Sequence, residues 1–266
     1  MNRTDAARLM VAAATLAGTP LVIARPVAAQ AFTQREGEGR VISSVIYSRS
    51  TRGFDDDAQV RDIPDYDKLE VYLLGEYGVT DDLTLLATPS FRDVQVRGED
   101  DSSGLGFTDL GARYRVASGE RFAVSVQNVV RIPGQTRRDR LAQVGQTDIE
   151  YDLRAQGGVS FDGGHFAILE GGYRWRSGDP PDQVNVDATV GLRAAPRLLL
   201  LASSYNTISD GSGQGVFRRY RYHNLYLSAA YDVSPWVTAQ VGTLATVAGR
   251  NALRERGLFG GLWFRF

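Results

Sequence analysis

Apolar and polar residues alternate in short runs from about residue 40 to the end of the chain. In 147–161, Ile149, Tyr151, Leu153, Ala155, Val159 and Phe161 fall on one side, and Asp148, Glu150, Asp152, Arg154 and Gln156 on the other. A period of two places successive side chains on opposite faces of a strand. The same reading sets Leu69, Val71, Leu73, Tyr77 and Val79 against Lys68, Glu70, Tyr72, Leu74 and Glu76. It also sets Ala167, Leu169, Tyr173 and Trp175 against Glu170, Arg174 and Arg176. Twelve strands are expected, at 40–49, 66–79, 83–96, 105–116, 122–132, 147–161, 165–176, 185–194, 198–208, 220–233, 236–248 and 255–266.

The connections between them alternate in length. Thr80-Asp81-Asp82, Ala117–Arg121, Asp162-Gly163-Gly164, Ala195-Pro196-Arg197 and Ser234-Pro235 are tight turns. Ser50–Pro64, Arg97–Gly104, Pro133–Gln146, Ser177–Val184, Ser209–Arg219 and Gly249–Arg254 are longer and more polar. Short turns on one side and long loops on the other characterise outer-membrane barrels, with the turns in the periplasm. An even strand count places both ends of the barrel on the turn side.

The charged face decides which way the strands point. It carries nine acids (Glu70, Glu76, Asp109, Asp148, Glu150, Asp152, Glu170, Asp187, Glu255) and nine bases (Lys68, Arg113, Arg115, Arg131, Arg154, Arg174, Arg176, Arg193, Arg265). In a soluble sandwich that face would meet bulk water. A balanced set with Arg as nearly the only base suits ion pairing in a confined interior, because the guanidinium fork matches carboxylates and keeps its charge. The opposite face is nearly free of charge. Tyr114, Phe122, Phe161, Phe166, Tyr231 and Trp236 stand near strand ends, where an interfacial girdle is expected. A charge on a lipid face costs about 2–4 kcal/mol at the midplane, which keeps such a face clean.

These features predict an all-β chain forming a single closed antiparallel up-and-down transmembrane β-barrel of about twelve strands, spanning 40–266. The last residues, Gly257–Phe266, place Leu258, Leu262, Phe264 and Phe266 on one apolar face, with Arg265 and Trp263 on the other. A terminal strand of this kind, ending in an aromatic residue, resembles the barrel-closing strand of bacterial outer-membrane proteins and implies recognition by the barrel-assembly machinery.

At the other end, Arg3 and Arg8 precede an apolar core, Met10–Ala24, and Ala29-Gln30-Ala31 offers a small-residue cleavage site. Residues 1–31 are therefore expected to be a secretory signal peptide cleaved near Ala31, with Ala29 the alternative, and 32–39 a periplasmic leader. Removing three Arg and one Asp from 30 basic and 31 acidic residues leaves 27 and 30. That near balance gives no basic field for nucleic acid. With no cysteine, stability must come from backbone pairing and burial.

Hairpin geometry sharpens the interior. Folding about Asp162-Gly163-Gly164 sets Asp152 opposite Arg174 and Glu150 opposite Arg176. Folding about Ser177–Val184 is expected to set Arg174 against Asp187, and Arg131 is expected opposite Asp148. With Arg154 and Glu170, these residues form the expected luminal ion-pair ladder. Ladders of this kind brace a polar interior or, as charged rings, select solutes. Twelve strands lie between filled barrels of about eight strands and open porins of about 16–18, so a narrow, partly plugged passage is expected.

Chemistry of other kinds finds little support. Only His165 and His223 offer the usual general base, and neither has a Ser or Asp partner that the pattern places opposite it. No enzyme activity and no cofactor are expected. Asp55-Asp56-Asp57 and Glu99-Asp100-Asp101 lack calcium-loop spacing and read as solvated loop tips. Arg137-Arg138-Asp139-Arg140 reads either as a contact for anionic headgroups or sugars or as a solvated charge run.

Two stretches carry a family resemblance. Tyr77-Gly78-Val79-Thr80-Asp81-Asp82-Leu83-Thr84-Leu85 resembles the Y-G-[IV]-T-D-x-L-x-L turn of a group of outer-membrane barrels described as transporters. Ser103–Arg115, with Asp109-Leu110-Gly111-Ala112-Arg113-Tyr114-Arg115, resembles that group's following strand, although Phe107-Thr108 intervenes before Asp109. The group is the meta-pathway phenol-degradation family, and the match covers residues 77–115. The resemblance implies an outer-membrane location and passage of small hydrophobic or aromatic compounds. The expected function is a channel or transporter-like barrel for small solutes in the outer membrane of a Gram-negative bacterium. Its expected partners are outer-membrane lipid, lipopolysaccharide and the solute. The alternatives are a structural or partner-binding barrel with a closed lumen and, third, a lipid-modifying barrel enzyme.

Overall fold

A computed structural model describes residues 33–134 and 148–266. The signal segment and the Arg137–Arg140 run lie outside the described residues. Strands β1 (Gly39–Phe54), β2 (Val60–Thr80), β3 (Leu83–Val96), β4 (Ser102–Ser118), β5 (Phe122–Pro133) and β6 (Glu150–Phe161) follow one another antiparallel. They continue as β7 (His165–Arg176), β8 (Gln183–Ala195), β9 (Leu198–Ser209), β10 (Arg221–Asp232) and β11 (Val237–Arg250). A two-residue element, β12 (Ala252–Leu253), pairs with the outer end of β1, and β13 (Arg256–Arg265) lies between β11 and β1. Since β1 also pairs along its length with β2, the sheet closes on itself as twelve long strands and one short one. Closure leaves no free edge, the condition for a sheet to sit in hydrocarbon.

The two faces separate as the alternation predicts. Leu69, Leu73, Leu169, Leu227, Val241 and Leu258 point outward and are exposed, whereas Glu76, Glu150, Asp152 and Gln156 point inward and are buried. Leu258, Leu262 and Phe264 share the outer face of β13, the terminal Phe266 just beyond it is also exposed, and Trp263 turns in. Tyr114, Phe122, Phe161, Tyr231 and Trp236 are exposed near strand ends on the turn side. Phe166, expected among them, is instead inside and only 4 % exposed. It shares the parity of Glu170 and Arg174 along β7, so it packs with Ile168, Leu199, Ala230 and Trp263 in an apolar cluster within the barrel.

Turns and registers follow local chemistry. Gly163 and Gly164 both hold φ of 82°, a left-handed conformation open to glycine, and they return β6 into β7 with Phe161 opposite His165. Pro89, interior to β3, cannot donate to the ladder and sits at a register irregularity where β4 carries an extra residue. Both Gly106 and Phe107 are buried there, and Ser90 Oγ donates to the Phe107 carbonyl at 2.8 Å.

The first long connection is shorter than its composition suggested. β1 and β2 run on through residues expected to be loop, pairing Arg52 with Asp62 and Phe54 with Val60 and leaving 55–59 as the tip. A strand needs about 9–11 residues to cross a bilayer, and the 21 residues of β2 are about twice that length, so this hairpin projects beyond its neighbours in the barrel wall. There Arg49–Asp65 (3.0 Å) and Arg61–Asp55 (2.8 Å) replace apolar cross-strand pairs. Asp56 accepts hydrogen bonds from Arg250 and Asn251, which hold its carboxyl below the usual carboxylate range and tie the tip to the β11 end.

Candidate functional site

The charged side chains of β4 to β8 meet in one network. β6 opposes β7 with Asp152 facing Arg174 and Glu150 facing Arg176, and directly opposed pairs lie within reach of charge-assisted bonds. Arg174 Nη2 lies 2.7 Å from Asp152 Oδ2, and Arg176 Nε 2.7 Å from Glu150 Oε1. On the other flank Arg131 bridges Glu150 (Nη1, 3.0 Å) and Asp109 (Nε, 3.0 Å), its guanidinium 4.6 Å from the centre of the Phe107 ring. Arg154 joins Asp152 (2.7 Å), Asp187 (2.8 Å) and, more distantly, Glu170 (3.6 Å). Opposite charges thus alternate around this part of the wall.

Two expected pairings differ. Arg174 opposes Gln183, to which it donates at 2.9 Å, and Asp187 opposes Glu170. The β7–β8 connection is tighter than expected because the Asp182 carboxylate accepts the Arg176 backbone N–H (2.7 Å), and β8 begins at Gln183. The offset is an even number of residues, so Asp187 keeps its inward face and reaches Arg154 instead. Arg131 opposes Glu150, while Asp148 precedes the first residue of β6. This shift is also even and changes the partner without changing the face.

A second centre was not legible as a unit. Glu76 accepts from Arg40, its register partner on β1, and from Arg113 Nη1 (3.1 Å) on β4. Its side chain is fully buried, and Gln34 of the leader donates to it at 2.8 Å. Arg113 also donates to Gln127 (2.9 Å). The parity of β2 and β4 placed Glu76 and Arg113 inside, but their convergence spans an intervening strand and involves the leader, which no hairpin sum reports.

These walls enclose two cavities. The larger, about 700 Å³, is lined by residues of β2 to β10 and reaches the long-loop side at Arg176, Gln183 and Tyr222. The smaller, about 360 Å³, lies nearer the turn side and is lined by Ile42, Phe166, Leu199, Leu201 and Trp263 among others. The two histidines have structural partners: the Arg193 N–H donates to His165 Nδ1 (3.1 Å), and His223 Nδ1 bonds to Asn206 Oδ1 (2.8 Å). A site of this composition can hold or conduct polar solutes, and it offers no aligned nucleophile and base among the described residues.

The Asp152–Arg174 rung has a measurable expectation. In a double-mutant cycle with Asp152→Ala and Arg174→Ala, residues in direct contact couple by about 0.5–3 kcal/mol. Urea titrations of the protein folded in lipid vesicles would measure it. Additive single effects would show that the rung carries no coupling.

No family model matches the chain, and no curated protein matches it. Among solved structures, an outer membrane channel from Pseudomonas putida F1 superposes with a TM-score of 0.76 at 17 % identity, covering 89 % of this chain and 98 % of that one. The NanC porin gives a TM-score of 0.54 at 8 % identity over 83 % of this chain and 98 % of its own. The translocator domain of autotransporter NalP from Neisseria meningitidis gives 0.54 at 12 % identity over 88 % and 90 %. These likenesses define the class by fold: a closed antiparallel barrel of the outer-membrane kind.

Proposed function

We propose that this protein is an outer-membrane channel for small solutes, and that the luminal ion-pair network lines its passage. The observation that carries this reading is the 700 Å³ cavity bounded by Arg131, Glu150, Asp152, Arg154, Arg174 and Arg176 inside a closed barrel. Buried ion pairs are weak contributors to stability compared with apolar packing, so a lumen lined with them suits contact with polar solutes. The resemblance at 77–115 to the meta-pathway phenol-degradation family, together with the smaller apolar cavity, favours small hydrophobic or aromatic solutes. On this reading the chain is exported by residues 1–31, the uncharged face meets outer-membrane lipid, and the loops meet lipopolysaccharide. The barrel-assembly machinery would recognise β13.

Liposome swelling with a panel of sugars, amino acids and aromatic acids tests the proposal. Swelling with at least the smaller solutes is expected. A second reading, a structural or partner-binding barrel with a closed lumen, draws on the buried Phe166, Ile168, Leu199, Ala230 and Trp263 packed inside the turn-side end. Proteoliposomes impermeable to every solute would favour it.

A further inference from the structure

Among the described residues, the charged cavity and the apolar cavity share only Leu74, Tyr205 and Tyr226 in their linings. Those three side chains mark the level at which one space gives way to the other. Tyr205 and Tyr226 meet edge to face, their ring centres 5.1 Å apart and their planes at 89°. Tyr226 also leans on Phe259, with centres 5.5 Å apart and planes at 49°. Edge-to-face and tilted contacts at these distances are favourable aromatic geometries, so the three rings brace one another rather than hanging free.

The strand between them allows this. β11 separates β10 from β13, and its residue facing Phe259 is Gly242. A Cβ at Gly242 would lie 2.5 Å from Phe259 Cζ. The missing side chain is therefore what lets the Phe259 ring lie across β11 toward Tyr226.

We propose that Tyr205 and Tyr226, backed by Phe259, form the aperture of the lumen, an aromatic step that passes small neutral solutes more readily than hydrated ions. This inference rests on the channel reading. A solute leaving the charged wall loses the Arg and carboxylate partners that replaced its water. Beyond the rings it meets mainly Ile42, Phe166, Ile168, Leu199, Leu201 and Trp263, with neutral polar groups such as Ser203 and Gln240 and, among the described lining residues, one charged side chain, Arg40, which is already paired with Glu76. An ion making that crossing keeps its hydration only if the opening is wide, and narrow apolar constrictions exclude ions by shedding water. A neutral molecule gives up less, and its apolar parts gain contact with the second cavity. The discrimination thus resides in uncharged side chains about which the ion-pair ladder gives no information.

The test compares the native protein with Tyr226→Ala, Tyr205→Ala and the conservative Tyr226→Phe, each checked for heat-modifiable mobility as evidence of a folded barrel. Single-channel conductance in planar bilayers and swelling of proteoliposomes in neutral and charged solutes are the two readouts. Removing either ring is expected to raise ionic conductance by about twofold or more and to admit larger and charged solutes, while Tyr226→Phe stays near native. If the alanine variants at this level do not fold, Phe259→Leu removes the backing ring and is expected to shift the same readouts in the same direction. Current through the alanine variants but not the native protein also supports the aperture. A native protein that passes solutes, with variants unchanged in conductance and size limit, would overturn the aperture and leave the channel standing. Native protein and variants all impermeable would overturn both.

Discussion

Replacing Glu76 by Ala is expected to destabilise the folded barrel by about 3–5 kcal/mol, the cost of stranding buried charge. The Glu76 side chain is 0 % exposed, and its partners Arg40 and Arg113 are only 7 % and 4 % exposed. Removing the carboxylate leaves two guanidiniums facing one another without a counter-charge in a region that water reaches poorly. The effect should also loosen the leader, because Gln34 donates to the same carboxylate (2.8 Å) and its backbone N–H to Thr84 Oγ1 (2.8 Å). Urea-dependent unfolding in lipid vesicles measures the first effect, and protease cleavage of residues 33–38 the second. A loss under about 1 kcal/mol, the range of exposed pairs, would show that solvent screens this centre after all.

Leu227→Arg is the second large expectation, at about 2–4 kcal/mol. Leu227 lies on the outer face of β10, 56 % exposed and five residues from Asp232 at the turn-side end. A strand needs about 9–11 residues to cross, so this position falls near the hydrocarbon midplane. Val60→Arg is the matched control. Val60 is also exposed, at 41 %, but it opens β2 at the tip of the projecting hairpin, beyond the Arg49–Asp65 pair. Its substitution should cost only about 0–1 kcal/mol, as for positions near or beyond the interface. Folding yields and urea midpoints in vesicles of fixed thickness give both values. Equal, small penalties at the two sites would mean that Leu227 does not face lipid.

The contrast between these sites also shows what the chain made legible. Strands whose two faces differ sharply, such as β6 and β7, could be placed to within a few residues. Their tight glycine turn fixed the register, so Asp152 and Arg174 could be paired from numbering alone. Registers across the longer connections shifted by even numbers, as at Arg174–Gln183 and Arg131–Glu150. Burial enforces the face of a strand but not its partner, and the connection length sets the partner.

The outer halves of β1 and β2 were hidden because polar cross-strand pairs stabilise them, and no apolar alternation marks them as strand. Phe166 illustrates the opposite difficulty. An aromatic residue near a strand end suits both a girdle and an inward cluster, and only its parity along the strand distinguishes the two. The rings of Tyr205, Tyr226 and Phe259 converge through β11 at a glycine, a tertiary meeting that no single hairpin announces.

The central claim is that the uncharged face meets hydrocarbon and the charged face encloses the lumen. Because the chain contains no cysteine, single-cysteine variants can be labelled cleanly at Leu225, which points outward at 43 % exposure, and at its neighbour Asn224, which lines the larger cavity. With the protein folded in vesicles, a fluorophore at Leu225 should be quenched by lipids carrying nitroxide on their acyl chains, and one at Asn224 by water-soluble iodide. Quenching in the reverse order, or by iodide at both positions, would contradict the account.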